Sequence, residues 1–348
     1  MFFSAPVPTA KHRSIMKNEV FGKLAKGEEV RLFTVSNKKI ELSVMEYGAA
    51  VVSLKFKGKE TVLGFDRLKD YLSCSGSYGA VIGRYAGRIS GAVVRISGVD
   101  YPLTKNDGNN TRNGGALGFS KRLWHGEADE NSITMQYLSA DNEEGFPGEM
   151  LTTVRYKLLE SGVVIEYFAK SDRDTVVNLT NQIYFNFSGG KHDVSDHTLF
   201  VDADYFSPVD LELLPTGEKR SVFSTPFDFR TPSLLKDKFT ANDGQLRLVG
   251  GIDHNFLLNG RGIRKVACLA SKSESISMEC LTDMPYVKIY TSNKSELYKI
   301  HGGYETDVHY GVCIEPQFFG AGQSAATFSP NVLKKGDVFS SITELKFS

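Results

Sequence analysis

A chain of 348 residues with 41 basic and 41 acidic side chains has a formal net charge of zero, which offers no bulk field to nucleic acid or an anionic membrane. Hydrophobic residues make up 41% of it and aromatic residues 11%, enough for a large core, and no apolar run approaches the ~18 residues of a membrane span. The partner this composition suits is a neutral small molecule, bound by a monomer or homodimer.

The first stretch, residues 1–19, carries Lys11, His12 and Arg13 and lacks the apolar segment of a secretory signal, so an N-terminal arm is expected there. Residues 20–348 show no Pro/Ser linker, low-complexity segment or internal repeat, and one domain is expected. Arg31 to Val35 and Ile40 to Val44 alternate around the polar turn Ser36-Asn37-Lys38-Lys39 and predict a hairpin. A second hairpin is predicted over Val93 to Leu103, turning near Ser97-Gly98. A third pairs Thr153 to Leu158 with Val163 to Ala169 across Glu160-Ser161-Gly162. Strands continue at Ser275 to Leu281, Tyr286 to Thr291 and Gly311 to Glu315, and no stretch holds a 3.6-residue period for long. The fold class is therefore all-β, a large antiparallel β-sandwich with few short helices and with its site in the end loops.

Cys74, Cys268, Cys280 and Cys313 have no CxxC spacing and are too scattered for a disulfide framework, which predicts reduced thiols in the cytoplasm. The Gly-x-Ser-x-Gly elbow of serine hydrolases is absent. Gly114-Gly115-Ala116-Leu117-Gly118 and Gly320-Ala321-Gly322 match neither a P-loop nor a dinucleotide fingerprint. The seven histidines, His12, His125, His192, His197, His254, His301 and His309, show no metal-ligand spacing. No cofactor and no metal are expected.

A series of segments, in order, resembles the aldose 1-epimerase (galactose mutarotase) family. It begins with Tyr47-Gly48-Ala49-Ala50 and Val62-Leu63-Gly64-Phe65-Asp66, and continues through Val81-Ile82-Gly83-Arg84-Tyr85-Ala86-Gly87-Arg88-Ile89. Gly114-Gly115, Glu144-Gly145-Phe146-Pro147-Gly148 and Asn178-Leu179-Thr180-Asn181 follow, then Pro215-Thr216-Gly217-Glu218, Asp253-His254-Asn255-Phe256 and Glu315-x-Gln317. The resemblance runs from about residue 20 to the C-terminus and implies a galactose mutarotase-like supersandwich. Members of this family open a pyranose at its hemiacetal and reclose it from either face. That chemistry needs a general base at the C1 hydroxyl and a general acid at the ring oxygen, each worth about 10²–10⁴-fold in rate.

The resemblance places the family base, a Glu, at Glu315, although a lone strand-end Glu is ordinarily a salt-bridged surface group. The family acid is a His in Thr-Asn-His-x-Tyr-Phe-Asn, and here that segment reads Thr180-Asn181-Gln182-Ile183-Tyr184-Phe185-Asn186. The second family His, in Leu-His-Gly-Gly, aligns with Asn113 in Arg112-Asn113-Gly114-Gly115. An amide donates and accepts hydrogen bonds but does not ionise near pH 7, so neither Gln182 nor Asn113 delivers a proton. Arg88 and Asp253 match family positions that hold sugar hydroxyls, and a fork of donors and a carboxylate acceptor suit that work. Arg84 reads as structural and Trp124 as core. Lys288 stands where a Gln is common, and Phe318-Phe319-Gly320-Ala321 replaces the usual continuation of Glu-x-Gln.

The resemblance implies a carbohydrate-binding protein that retains the base and lacks both family histidines, with ordinary mutarotation of glucose or galactose absent or strongly reduced. One alternative is a repurposed isomerase or cyclase, with Glu315 as base and amides stabilising an oxyanion on a carbonyl-bearing metabolite. Others are an active mutarotase with a relocated acid and a protein that interacts through its surface alone.

Overall fold

The computed structural model describes residues 15–319 and 331–348. Three antiparallel sheets carry most of the strand residues among those described. The first has five strands in chain order, Ile15–Lys23, Glu29–Ser36, Ile40–Met45, Ala50–Phe56 and Lys59–Glu60. The hairpin predicted around Ser36–Lys39 is its centre, with Leu32 opposite Met45 and Val35 opposite Leu42. The arm expected to reach residue 19 gives way at Ile15 to an edge strand, in which Glu19 pairs with Leu32 and Asn18 with Phe33. Residues 1–14 of that arm, with His12, lie outside the described residues.

The second sheet has nine strands. In spatial order they are His125–Ala128, Ser132–Ser139, Met150–Leu159, Gly162–Ser171, Val338–Phe347, Ile276–Thr282, Arg264–Ser271, His197–Val201 and Ser233–Leu234. The predicted hairpin turning at Glu160-Ser161-Gly162 forms its middle, with Leu158 opposite Val163. The C-terminal strand closes beside it, Ile165 opposite Thr343. Alternate residues such as Met150, Thr152, Val154 and Tyr156 point inward while Leu151 and Thr153 face outward, the period-2 pattern of a sheet with one buried face.

The third sheet has six strands, in the order Tyr184–Phe185, Val312–Gln317, Tyr286–Tyr290, Asp253–Leu258, Ala203–Ser207 and Arg220–Ser221. One face joins the main core through Val287, Ile289, Val312, Ile314 and Phe256, which pack into one cluster with Ile165, Tyr167, Met278 and Leu345 from the nine-stranded sheet. Because successive side chains alternate, the opposite face presents Cys313, Glu315 and Gln317 from one strand, Tyr286 and Lys288 from the next, and Asp253 and Asn255 from the third. Every residue of Val312–Gln317 is buried, so that second face is covered as well. The α-helices among the described residues are Leu68–Ser73, Leu235–Phe239 and Gly244–Val249, short and few as the lack of a sustained 3.6-residue period predicts. No helix among the described residues is long and apolar enough to cross a membrane.

Candidate functional site

Arg84 and Trp124 set the frame. Arg84 is buried, and its guanidinium donates to the carbonyls of Pro147 and Gly148 at 2.9 Å and to Ser139 Oγ at 2.5 Å. It ties the Pro147–Gly148 loop to the nine-stranded sheet through Ser139, and these contacts compensate much of the cost of burying a cation. Trp124 packs edge-on against Phe119 and donates its indole N–H to the Phe119 carbonyl at 3.1 Å.

Glu315 lies on the covered face of the six-stranded sheet with 3% of its surface exposed. Its cross-strand partner is Lys288, whose own partner on the far side is Asn255, so the three side chains form one rung. Burial pushes the Glu315 carboxyl up to about 7, and the charge of Asp253 adds to the effect. Lys288, the Gln182 amide and Arg112 pull the other way. Gln182, itself 5% exposed, donates its amide N–H to Glu315 Oε1 at 3.4 Å. A surface salt bridge, the ordinary fate of a strand-end Glu, is thus not what this residue makes.

Asp253 sits one step along the sheet, with Lys288 Nζ 2.8 Å from its Oδ1. The two form a close ion pair on the covered face. Burial works to raise the Asp253 carboxyl, yet the charges of Lys288 and Arg88 outweigh it and hold the group below its ordinary value. Gln317 donates to Asn255 Oδ1 at 2.9 Å, while its own Oε1 is buried without a donor. Arg88, Asp253, Lys288 and Gln317 surround a cavity of about 10 Å³, room for about one water. The buried Gln317 Oε1, an acceptor without a donor beside this cavity, matches a hydroxyl group, which brings the missing hydrogen.

Arg88 lines this cavity while its Nε donates to Asp107 Oδ2 at 2.6 Å, so it is both part of the site and half of a structural ion pair. Asn113 plays a different part. Its backbone has φ +51°, and its side-chain oxygen accepts the Gly87 N–H at 3.0 Å while its own N–H donates to the Gly87 carbonyl at 2.8 Å. Asn tolerates this left-handed conformation better than most residues. Asn113 therefore pins the turn that delivers Arg88, and among the described residues it makes no hydrogen bond to Glu315 or Gln182. The structure brings Glu315 and Gln182 together, and brings Arg88 and Asp253 together, through Lys288.

The described histidines are engaged elsewhere. His254 follows Asp253 on the same strand and so points to the opposite face, where its Nδ1 accepts the Asp253 N–H at 3.1 Å and its Nε2 faces Gln245 Oε1 at 3.0 Å. Burial takes its imidazole down to about 4. His197 receives the Phe187 N–H on Nε2 at 3.1 Å and faces Asp196 through Nδ1 at 2.8 Å, and burial lowers its value as well. His301 lies against Asp66 and the Val52 carbonyl, and His309 against the Thr291 carbonyl while stacked on Phe239 at 3.8 Å. His192 faces the Asp193 carbonyl at 2.8 Å, and His125 is exposed beside Glu127. No group of three or more metal-ligating side chains forms among the described residues.

The sequence reading missed the rung itself, including Asn255 and the placement of Lys288 between Glu315 and Asp253. The signal was present as Asp253-x-Asn255, Tyr286-x-Lys288 and Glu315-x-Gln317, three polar pairs at the spacing that puts both members on one face of a strand. A larger cavity of about 640 Å³ lies near Lys55, Asp66, Phe187 and His301, away from this face. Among its charged groups Lys59 pairs with Glu274 and Asp66 with His301, and the covered face, with the Gln317 Oε1 acceptor left open, is the better candidate.

The model of the aldose 1-epimerase family matches residues 31–346. Galactose mutarotase of Bos taurus is 35% identical over 338 residues, covering 94% of this chain and 97% of the relative. Aldose 1-epimerase of Escherichia coli K12 is 32% identical over 344 residues, covering 95% and 99%. The crystal structure of galactose 1-epimerase from Lactobacillus acidophilus superposes with a TM-score of 0.86 at 25% identity, covering 96% of this chain and 99% of that one.

Proposed function

Because the chain belongs to the aldose 1-epimerase family, we propose that it binds a hexose or a related small metabolite on the face that carries Glu315. In this reading Arg88 and Asp253 hold hydroxyls, and Glu315 is the general base. Gln182 and Asn113 stand in place of the two histidines, so ordinary mutarotation of glucose and galactose is absent or strongly reduced. One observation carries the reading: the partner of the buried Glu315 is the Gln182 amide at 3.4 Å, a group that cannot supply a proton.

The chemistry follows from the groups. A carboxyl poised near 7 is half ionised at neutral pH and suited to taking a proton from an anomeric hydroxyl. Ring opening also requires a proton at the ring oxygen. The described histidines face away, and Asn113 is spent on Gly87, which argues against a relocated imidazole acid. The Gln182 amide beside Glu315 supports a second reading, an isomerase or cyclase in which that amide stabilises an oxyanion. We place the protein in the reducing cytoplasm, where its four free cysteines stay reduced, as one domain from about residue 20, monomeric or homodimeric.

The test is to titrate glucose and galactose into the wild type and a Glu315→Gln variant while following thermal unfolding, and to measure anomer exchange in an Asn113→His, Gln182→His variant. Sugar-dependent stabilisation in the wild type, with exchange gained at least tenfold by the double variant, is expected. A wild type that no sugar stabilises, or a double variant with no gain, would overturn the reading.

A further inference from the structure

We infer that the chain pairs with a second copy of itself through the edge strand Ile15–Lys23. The two strands run antiparallel about Asn18 and join the two five-stranded sheets into one.

Among the edges of the three large sheets this strand is an outlier. Lys59–Glu60, Ser233–Leu234, Tyr184–Phe185 and Arg220–Ser221 are edge strands of two residues each, and His125–Ala128 has four. Ile15–Lys23 has nine. Its inner side pairs with Glu29–Ser36, and no strand among the described residues takes its outer side. An open row of backbone N–H and C=O groups is a template for another strand, and short edges are one way in which proteins avoid offering it. Here every other large-sheet edge is short and this one is long. Helix Leu68–Ser73 packs only at its far end, where Phe21 meets Tyr71 edge to face and Leu68 closes on Gly22. Residues 16–20 are all exposed, with Met16 at 52% and Val20 at 46%.

The side chains select a second copy as the occupant. Centred on Asn18, an antiparallel pair sets Lys17 of one chain opposite Glu19 of the other, and two-fold symmetry repeats the match. On the opposite face the same register sets Met16 against Val20. Opposite charges and apolar pairs thus fall together in a single alignment. Among the described residues neither Lys17 nor Glu19 is held in an ion pair of its own. Centring the pair on Lys17 or on Glu19 would place like charges face to face. Centring it on Phe21 would match Glu19 with Lys23, but Lys23 is engaged by Glu29 at 3.2 Å, and the bulge between Val20 and Gly22 breaks the ladder there.

Sedimentation velocity on the full chain, over a concentration series from micromolar to millimolar, tests this with the wild type, Glu19→Lys and the exchanged variant Lys17→Glu, Glu19→Lys. The wild type should dimerise. Glu19→Lys should raise the dissociation constant at least about tenfold, because two attractive cross-strand pairs become two repulsive ones. The exchanged variant restores both matches and should recover the wild-type constant. Both positions are exposed, so all three proteins should unfold at the same temperature as monomers. A wild type that stays monomeric overturns the inference. So does a dimer that Glu19→Lys leaves unchanged, or an exchanged variant that does not recover.

Discussion

Replacing Glu315 with Gln keeps the shape and removes the ionisation, which isolates the energy stored in a buried carboxyl. Glu315 is 3% exposed and its carboxyl rises from the ordinary 4.5 to about 7. Between those values the folded chain holds a proton that the unfolded chain has released. The stability linked to this group is therefore complete below about 4.5 and is lost as pH climbs through 7. Above 7 the ionised wild type carries a cost of about 3 kcal/mol that the Gln variant lacks. In a chain of 348 residues that corresponds to about 4 °C in Tm. Thermal unfolding of both proteins at pH 5 and pH 8, with ionic strength held constant, reads the difference. The variant should gain on the wild type by about that amount between the two pH values. A gap that stays constant would mean a carboxyl unshifted by the fold, one that moves the other way would mean that the site stabilises the carboxylate, and either would make the account of burial as the dominant influence wrong.

Lys288→Gln removes the cation 2.8 Å from Asp253 Oδ1 and leaves that carboxylate with the more weakly acting Arg88, so stability at pH 7 should drop by about 3 kcal/mol. The Asp253 carboxyl is held below its ordinary value, so its contribution exists at neutral pH and fades as pH falls; the loss should shrink in unfolding curves taken near pH 3. A loss independent of pH would point to packing alone. His254 should stay neutral and show no change in its imidazole NMR shifts from pH 8 down to pH 5, because burial takes it to about 4; a midpoint near 6 would contradict its placement against Gln245.

The hairpins at Ser36–Lys39 and Glu160–Gly162 were legible because hydrophobic alternation and turn residues coincide there, and each reappears in register. The strand Val338–Phe347 was not. Its inward positions include Ser341 and Thr343 between Phe339 and Leu345, and polar residues on the buried face break the alternation. Ile15–Glu19 escaped notice because an exposed edge strand has no buried face to pattern. Two-residue strands such as Val81–Ile82 exist only through distant partners, here Thr180 and Asn181, which no local signal reports. In the site, Glu315, Gln182, Arg88 and Asp253 were named from motifs, but the resemblance treated Asn113 as a lost imidazole. Its side chain is also bonded to the backbone of Gly87, a role the motif alone does not reveal. Lys288 was seen as an odd residue in a strand; only register places it between two carboxylates.

The measurement that bears most directly on the central claim is the rate of exchange between the α and β anomers of glucose and galactose, followed by NMR at pH 7. The wild type is compared with the bovine galactose mutarotase at equal concentration. A retained base without an imidazole acid predicts exchange at least about a hundredfold slower than that relative, the contribution of one general acid. A rate within tenfold of the relative would contradict the account and would require a proton donor other than the histidines described.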